Sequence, residues 1–433
     1  MINKLPNDSN LSELITAFEN GVNETRTISN VLKQTLINKN VKVLDTDKLS
    51  SLVSKVDKLK PQGFGVRINY TATDKNEFVT YVGDAVGMEP ATYSNYGSWD
   101  AIDFIRNIRP CGFKNGAVTK YINKNDFSLY EDGTSVPNDV DVMIEFPKFY
   151  WKIMQQDMYV DIFVSDTKLD EGYECPAHKI GNDEKDYVYI GAYLGFTETI
   201  NNKNILRSRG NATPTEGAIT DFYSYAKNVG VGYSIIDYYC ILMLQVLYIT
   251  MFKSIAPNEF TCGIRGNVQK TGITYKNGMM FGGLDMHNKF LGVEDFCGNL
   301  DQWVFGISSS NLVLRLLDRK SREFLFFNIG SDYLHLIQGG TYTGFLPKAC
   351  LSSREASNFQ ARCLLKSSTT EYIAYGNGQQ ATGSIFECRT FGNYTYRKGS
   401  RLIYYGEDSQ SAAQRIKEDS LLLSENEKVG GIL

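Results

Sequence analysis

Three histidines are the residues best suited to acid–base chemistry or metal binding: His178, His287 and His335. A hydrolytic triad would place one of them beside a nucleophile, with a carboxylate orienting its ring. His178 follows Cys-Pro-Ala, His287 lies in a polar segment, and His335 alternates with apolar residues as on one strand face. Asp285 and His287 alone are too few ligands for a metal ion. We therefore predict structural roles for all three histidines and no metal site.

Neighbouring acidic residues and glycine-rich segments give no clear indication of a catalytic or phosphate-binding site either. Glu294 and Asp295 are adjacent, so in an extended segment they point to opposite faces and cannot both flank one bond. The segments Asn-Val-Gly-Val-Gly-Tyr-Ser and Asn-Gly-Met-Met-Phe-Gly-Gly lack the lysine and the strand-to-helix context of phosphate-binding loops. The sequence thus predicts a protein that is not an enzyme and uses no cofactor.

The 8 cysteines are dispersed, and no Cys-x-x-Cys occurs. This spacing argues against a zinc knuckle or a redox motif. A chain of 433 residues needs no disulfides to stabilise it, so we expect buried thiols made in a reducing cytoplasm.

Composition limits the partners. The net charge of −4, with 42% hydrophobic and 22% charged residues, is typical of a folded protein without a basic field. We expect no nucleic-acid partner. The initial residues have no apolar segment of signal-peptide length, which predicts synthesis without a cleaved leader.

The first sixty residues have helical apolar spacing. Asn10 and Glu13 are a predicted capping pair for the first helix, and Asp45 or Asp47 opens a second helix that stops at Pro61. The apolar stripe either packs on a neighbouring domain or forms a self-association or docking bundle. Its members in the first helix are Leu11, Leu14, Ile15, Phe18, Val22, Ile28, Val31, Leu32, Leu36 and Ile37.

From Gly63 onward, short β-like runs alternate with turn residues. The segment from Val140 to Met154 is the clearest candidate for a strand pair, with Pro147 at an edge or bulge. A helical interval follows from Thr213, in which Gly230 is a C-cap signal. The apolar stretch after it, residues 235–252, is predicted to be a buried core helix rather than a membrane span, because it carries Asp237, Gln245 and several tyrosines.

The interval 339–405 is dense in Tyr, Gly, Asn and Ser. Rigid aromatic rings among small polar residues are typical of adaptable recognition surfaces. A β-rich core with aromatic strands is the alternative interpretation.

One segment, Gly-Val-Glu-Asp-Phe-Cys-Gly-Asn-Leu-Asp-Gln-Trp-Val at 292–304, resembles a motif of the formylglycine-generating-enzyme branch of the C-type lectin fold. Tropism-determinant proteins of phages also use this branch. Segments at 32–59, 141–153, 175–195, 223–249 and 339–345 look like phage tail proteins of Gram-positive gut bacteria. The family pattern is G-x-x-D-x-x-G-N-V-W-E-W; matches are Gly292, Asp295, Gly298, Asn299 and Trp303, and departures are Leu300, Asp301 and Gln302.

The resemblance implies an α+β protein. It predicts a helical attachment or oligomerisation region at 1–62, a β-rich middle domain at 63–189, a C-type-lectin-like domain at 190–405 and a polar tail or helix at 406–433. Gly298, Asn299 and Trp303 would be scaffold: a left-handed glycine, an amide that ties loop backbone groups, and a core tryptophan.

The resemblance further implies a phage or phage-derived tail protein that recognises a bacterial surface polysaccharide or protein. Such a protein would be located in the virion tail with other tail or baseplate proteins, as a homo-oligomer, with a trimer favoured by analogy. A structural baseplate or fibre protein is the alternative. A formylglycine-generating-type oxidase is the third possibility. Cys350 and Cys363 are candidates for its reactive cysteines only because of their location in the sequence. The predicted receptor contacts are Tyr342, Phe345, Arg354, Asn358, Tyr372, Tyr375, Asn377, Phe391, Asn393, Tyr394 and Tyr396.

Overall fold

The computed structural model describes eleven stretches of the chain, and every structural statement below concerns them. Strands make up 38% of the described residues and helices 22%, in several sheets, with helices recurring along the chain. The predicted α+β layout, with a helical N-terminal region, a β-rich middle and a C-terminal C-type-lectin-like domain, is therefore wrong. The described residues are 10–38, 41–56, 61–72, 74–256, 267–283, 286–321, 323–353, 362–364, 371–376, 388–392 and 396–406.

Two helices, α1 (Leu11–Asn38) and α2 (Leu49–Val56), precede the sheets. The predicted capping pair is confirmed, because the Asn10 amide N–H donates to Glu13 Oε2 over 2.9 Å and the Glu13 N–H donates to Asn10 Oδ1 over 3.0 Å. Only Leu36 in α1 and Leu52 in α2 are buried. Leu32 is half-buried and the rest of the α1 stripe is exposed, so no neighbouring domain within the described residues covers most of it.

The next part of the chain is mainly antiparallel sheet. The sheet of four strands has the order β2-β1-β8-β7, and β9 and β10 form a hairpin, as do β12 and β13. The elements are β1 (Phe64–Asn69), α3 (Lys75–Phe78), β2 (Val79–Gly83), α4 (Asp103–Arg106), β3 (Arg109–Lys114), β4 (Ala117–Asn123), β5 (Asp126–Tyr130), β6 (Asp141–Pro147), β7 (Tyr150–Gln155), β8 (Tyr159–Ser165), β9 (Lys179–Ile180), β10 (Asp183–Glu184), β11 (Tyr187–Gly191), β12 (Phe196–Ile200) and β13 (Lys203–Arg207).

The proline at 147 separates two strands rather than forming an edge within a pair. Strand β6 ends at Pro147 and pairs with β3 and β11, whereas β7 pairs with β8 in another sheet. The predicted strand pair across residues 140–154 is therefore wrong. Because proline cannot donate to a ladder, the chain leaves one sheet there and enters the next.

Helices α5 (Ile219–Val229) and α6 (Tyr238–Phe252) flank β14 (Tyr233–Ile235). The predicted C-cap is confirmed: Gly230 follows α5 and its N–H donates to the Lys227 carbonyl. Asp237 caps α6, accepting from the Cys240 N–H over 2.9 Å. Every residue of α6 is buried, as expected for a core helix. None of the described helices is long and apolar enough to cross a membrane.

The last part of the described chain builds a sheet of nine strands. Its order is β19-β18-β17-β23-β24-β22-β20-β21, with β25 added beside β17. β15 and β16 pair only with each other, and β26 belongs to another sheet. The strands of this part of the chain are β15 (Lys289–Phe290), β16 (Val293–Glu294), β17 (Asp301–Ser310), β18 (Val313–Leu317), β19 (Phe324–Asn328), β20 (Asp332–Gly340), β21 (Gly344–Leu351), β22 (Arg362–Leu364), β23 (Glu371–Tyr375), β24 (Cys388–Phe391), β25 (Lys398–Gly399) and β26 (Leu402–Tyr404).

A sheet of seven strands joins distant parts of the sequence, in the order β14-β26-β11-β6-β3-β4-β5. The expected domain limit at residue 189 falls inside β11, and β26 from the end of the described chain pairs with β11. One apolar cluster extends from Val66 to Ile403. Residues 63–189 and 190–405 therefore share a sheet and a core. The expected tail, apart from Gly406, lies outside the described residues.

Candidate functional site

The Gly-Asn segment that carries the family resemblance lies in a tight, buried loop between β16 and β17. Its backbone is left-handed at Asp295 (φ 51°), Gly298 (φ 91°) and Asn299 (φ 60°). Asp295 and Asn299 are each 1% exposed. Asparagine, aspartate and glycine tolerate this conformation better than other residues, which explains why they occupy the loop.

Asn299 connects this loop to a neighbouring one. Its Oδ1 accepts from the Gln269 N–H over 2.9 Å, and its Nδ2 donates to the Gln269 carbonyl over 3.2 Å and to Asp295 Oδ2 over 2.8 Å. Trp303 is fully buried and its indole Nε1 donates to the Gly217 carbonyl over 2.9 Å. Each polar group of these two side chains thus has a partner inside the protein.

Three residues beside the loop bring potential metal ligands together. One ligand atom each from His287, Glu294 and Asp295 lies within 4.8 Å of the others, and all three residues are buried. This cluster was not predicted from the sequence. There, His287 was considered as a ligand together with Asp285, which lies outside the described residues, and the adjacent Glu294 and Asp295 were expected to point to opposite faces. The left-handed backbone at Asp295 bends the chain and brings both acids to the same region.

The oxygens of these carboxylates already have donors. Glu294 Oε1 accepts from the Gly272 N–H over 2.5 Å, and Oε2 accepts from the Thr274 N–H over 2.9 Å and its hydroxyl over 2.5 Å. Both oxygens of Asp295 lie 3.0 Å from His287 Nδ1. A cation would have to displace these donors, so the geometry favours a structural polar network.

Two buried cations balance the two acids. Lys289 Nζ donates to the carbonyls of Thr274 and Gly278, and its ammonium lies 3.9 Å from the centroid of the Phe127 ring. Arg401 is fully buried. Its guanidinium donates to the carbonyls of Gly191 over 2.9 Å, Glu294 over 2.7 Å and Asp295 over 3.2 Å. It also donates to Gln302 Oε1 over 3.1 Å.

The pKa values follow from burial and these partners. Burial lowers the pKa of Lys289 and raises that of Glu294. Burial also lowers the pKa of Arg401 to about 10. For His287, burial lowers the pKa, but the hydrogen bond and charge of Asp295 outweigh it, and the net shift is upward.

The roles of Lys289 and Arg401 were not predicted from the sequence. Their positions next to apolar strand residues were the only available signal.

The other two histidines occupy separate structural positions. His178 is fully buried, and its Nε2 lies 3.1 Å from the Phe146 carbonyl oxygen. Burial lowers its pKa to about 4. His335 is half-buried in β20. The structure does not bring either of them to the Gly-Asn loop.

The expected receptor contacts occupy different environments. Phe345 is 6% exposed and belongs to the core, against which Tyr342 and Tyr375 also pack. The rings of Tyr372 and Phe391 lie edge-on to Trp303, with centroids 6.3 and 6.0 Å away. Tyr396 is 56% exposed. Arg354, Asn358, Asn377, Asn393 and Tyr394 lie outside the described residues.

Three cysteines approach one another in the sheet of nine strands. Cys363 and Cys388 are register partners on the parallel strands β22 and β24, and both are buried. Burial raises the pKa of Cys350 to about 12. A thiol with such a pKa is a poor nucleophile at neutral pH, because the thiolate is the reactive form.

No family model matches the chain, and no curated protein matches it in a sequence search.

Proposed function

We propose that this protein is a phage or phage-derived tail protein that recognises the surface of a host bacterium. In this proposal it is located in the virion tail, contacts other tail or baseplate proteins, and binds a surface polysaccharide or protein. The proposal rests on the motif resemblance at 292–304 and on the tail-protein-like segments. It does not depend on the predicted three-part layout.

One observation supports the proposal most directly. The buried polar side chains at the Gly-Asn loop form their hydrogen bonds with other groups of the protein. Asn299, Asp295 and Glu294 use their side chains to hold loops together, as a rigid scaffold beneath a recognition surface requires. An active site instead needs polar groups that are free to meet a substrate.

Self-association through α1 is part of the proposal. Leu11, Phe18 and Val31 are 73%, 73% and 62% exposed, which leaves a long apolar stripe uncovered. From Leu11 to Val22 the stripe has steps of four, three and four residues, through Ile15 and Phe18, which is the spacing of a coiled-coil seam. A homo-oligomer would bury it, and several copies on one particle would raise avidity without tighter individual contacts. We propose a trimer by analogy with tail fibres.

A binding experiment tests host recognition. Fluorescently labelled full-length protein is incubated with a panel of Gram-positive gut bacteria, and cell-bound fluorescence is measured. We expect saturable binding to some strains and its loss in the double variant Tyr394→Ala/Tyr396→Ala. Tyr375 is left intact because it packs against the core. The matched control is Tyr93→Ala, which removes another exposed tyrosine, 43% accessible, far from this interval in sequence.

The structural alternative predicts a different result. A baseplate component that only packs against neighbours would bind none of the strains. Equal loss of binding in the control variant would contradict the assignment of the contact to the interval 339–405.

The oxidase alternative depends on a reactive cysteine. We expect Cys350 and Cys363 to resist iodoacetamide in the native protein at pH 7 and to react after unfolding in urea, with sites assigned by mass spectrometry. Rapid labelling of either thiol in the native state would favour the oxidase.

A further inference from the structure

The sheet of seven strands has one face in the main core and a second face that is only half covered. A row of direct register partners crosses this second face: Arg109, Glu145, Tyr189, Tyr404 and Tyr233. Directly opposed residues on neighbouring strands point to the same side of a sheet. The row therefore shows which side chains share the second face.

Helix α5 covers one end of this face. Phe113, Met143 and Leu402 are buried there in a cluster with Phe222 of α5. The other end is open and carries tyrosines. Tyr187 is 43% exposed, and the half-buried tyrosines beside it are Tyr121, Tyr189 and Tyr404.

The open end, which we call the tyrosine face, is preordered by ring contacts. The Tyr189 centroid lies 4.5 Å from that of Phe113, 6.1 Å from that of Tyr404 and 6.4 Å from that of Tyr187. The Arg109 guanidinium lies 3.5 Å from the centroid of the Tyr121 ring. Aromatic rings held in this way offer contact area at little cost in conformational entropy.

A buried carboxylate lies beneath these rings. Glu145 is 2% exposed, and its oxygens accept from Tyr189 Oη over 3.1 Å, from Tyr121 Oη over 3.3 Å and from Arg109 Nε over 3.3 Å. These bonds use the hydroxyl protons of the two tyrosines and fix their orientation. Each phenolic oxygen keeps lone pairs that can accept a hydrogen bond from a ligand.

The chemistry of the face selects its ligand. Arg109 and Glu145 cancel in charge, so the face offers no electrostatic attraction for a polyanion such as nucleic acid. Tyrosine and arginine also occur in protein interfaces, but among these tyrosines only Tyr187 is exposed and the others are half-buried, which leaves less area than a specific protein interface buries. Rings that stack on C–H faces, together with acceptors that meet hydroxyl groups, suit a sugar.

We propose that the tyrosine face binds a neutral oligosaccharide. From β4 to β26 it crosses five adjacent strands, or about 19 Å at the usual strand spacing, which accommodates a chain of sugars rather than one. This inference is independent of the proposed host recognition, because it concerns saccharide binding by this sheet, and those expected receptor contacts that the structure describes lie outside its strands.

The test uses the full-length protein and named probes. Soluble hexasaccharides of glucose, mannose, galactose and N-acetylglucosamine are titrated while saturation-transfer NMR reports contact with the protein. We expect at least one to bind, and Tyr187→Ala to weaken that binding about tenfold, the effect of one lost aromatic contact. Tyr93→Ala, which removes a tyrosine of equal 43% exposure elsewhere, should leave affinity unchanged.

A second variant guards against simple misfolding. Tyr189→Phe keeps the ring but removes the hydroxyl that donates to Glu145, so we expect weaker binding with a melting temperature close to that of the original protein. Absence of binding to all four hexasaccharides would overturn the proposal. So would equal weakening by Tyr93→Ala, or tighter binding of a polyuronic acid than of any neutral probe.

Discussion

The side-chain amide of Asn299 donates to the carboxylate of Asp295 across 2.8 Å, and both residues are buried with left-handed backbones. This contact joins the two most polar positions of the motif-like segment. Asn299 also holds Gln269 by two hydrogen bonds. The pair therefore fastens two loops that no strand connects directly.

Replacing Asn299 by alanine is expected to lower the free energy of unfolding by about 3 kcal/mol. The change removes three hydrogen bonds, to the Gln269 N–H, to the Gln269 carbonyl and to Asp295 Oδ2, and each contributes about 1 kcal/mol net. Urea unfolding followed by circular dichroism measures the loss.

The control for this variant is Asn311→Ala. Asn311 has a similar backbone angle, φ 51°, but lies exposed in the turn between β17 and β18. It reports the cost of alanine in a left-handed conformation alone, about 1 kcal/mol. Equal losses in both variants would show that the buried hydrogen bonds contribute nothing. A variant at 299 as stable as the original protein yet unable to bind cells would reverse the scaffold assignment.

The contact between His287 and Asp295 should make stability depend on pH above 6.5. The folded-state pKa of His287 is raised from its usual 6.5, so the folded protein favours the protonated ring. The stabilisation is complete below pH 6.5 and is lost as the pH rises through the folded-state pKa. We expect the stability difference between the original protein and His287→Gln to shrink from pH 6 to pH 9 in urea titrations. A constant difference over this range would contradict the charged contact.

His178 should have the opposite effect on the acid side. Its folded-state pKa is lowered from 6.5 to about 4 because the ring is fully buried. Between these values the unfolded chain binds a proton that the folded protein does not, so stability falls as the pH falls. The shift corresponds to about 3 kcal/mol at most. We expect His178→Gln to lose less stability than the original protein between pH 6.5 and 4 in parallel unfolding curves. If the stability of both proteins fell equally with pH over this range, His178 would be excluded as the cause of the acid-side loss of stability.

Phe18→Glu should dissociate the proposed oligomer. Phe18 is 73% exposed in the middle of the α1 stripe, and a buried charge at a seam position disfavours association. Sedimentation velocity should show a fall to the monomer mass for this variant. Thr27→Glu, on the polar side of α1, is the control and should keep the assembly. If the original protein sediments as a monomer at micromolar concentration, the proposed self-association through α1 is wrong.

The sequence by itself determined the local features. Asn10 with Glu13, Gly230 and the mainly apolar segment of α6 predicted a cap, a helix end and a core helix, and the structure confirms all three. Capping and burial of a uniformly apolar helix depend on residues close together in the chain, so local patterns are sufficient to predict them.

Only the tertiary structure decided the sheet partners and the buried polar sites. Pro147 was predicted within a strand pair but ends β6, and β26 pairs with β11, more than 200 residues earlier in the chain. Likewise His287 meets Asp295 across a turn with left-handed residues at Leu291 and Gly292, and Arg401 donates to the carbonyl of Glu294, more than 100 residues earlier in the chain. Pairing between distant strands and neutralisation of buried charges depend on how the whole core closes. Side-chain alternation in one segment carries no information on its partner.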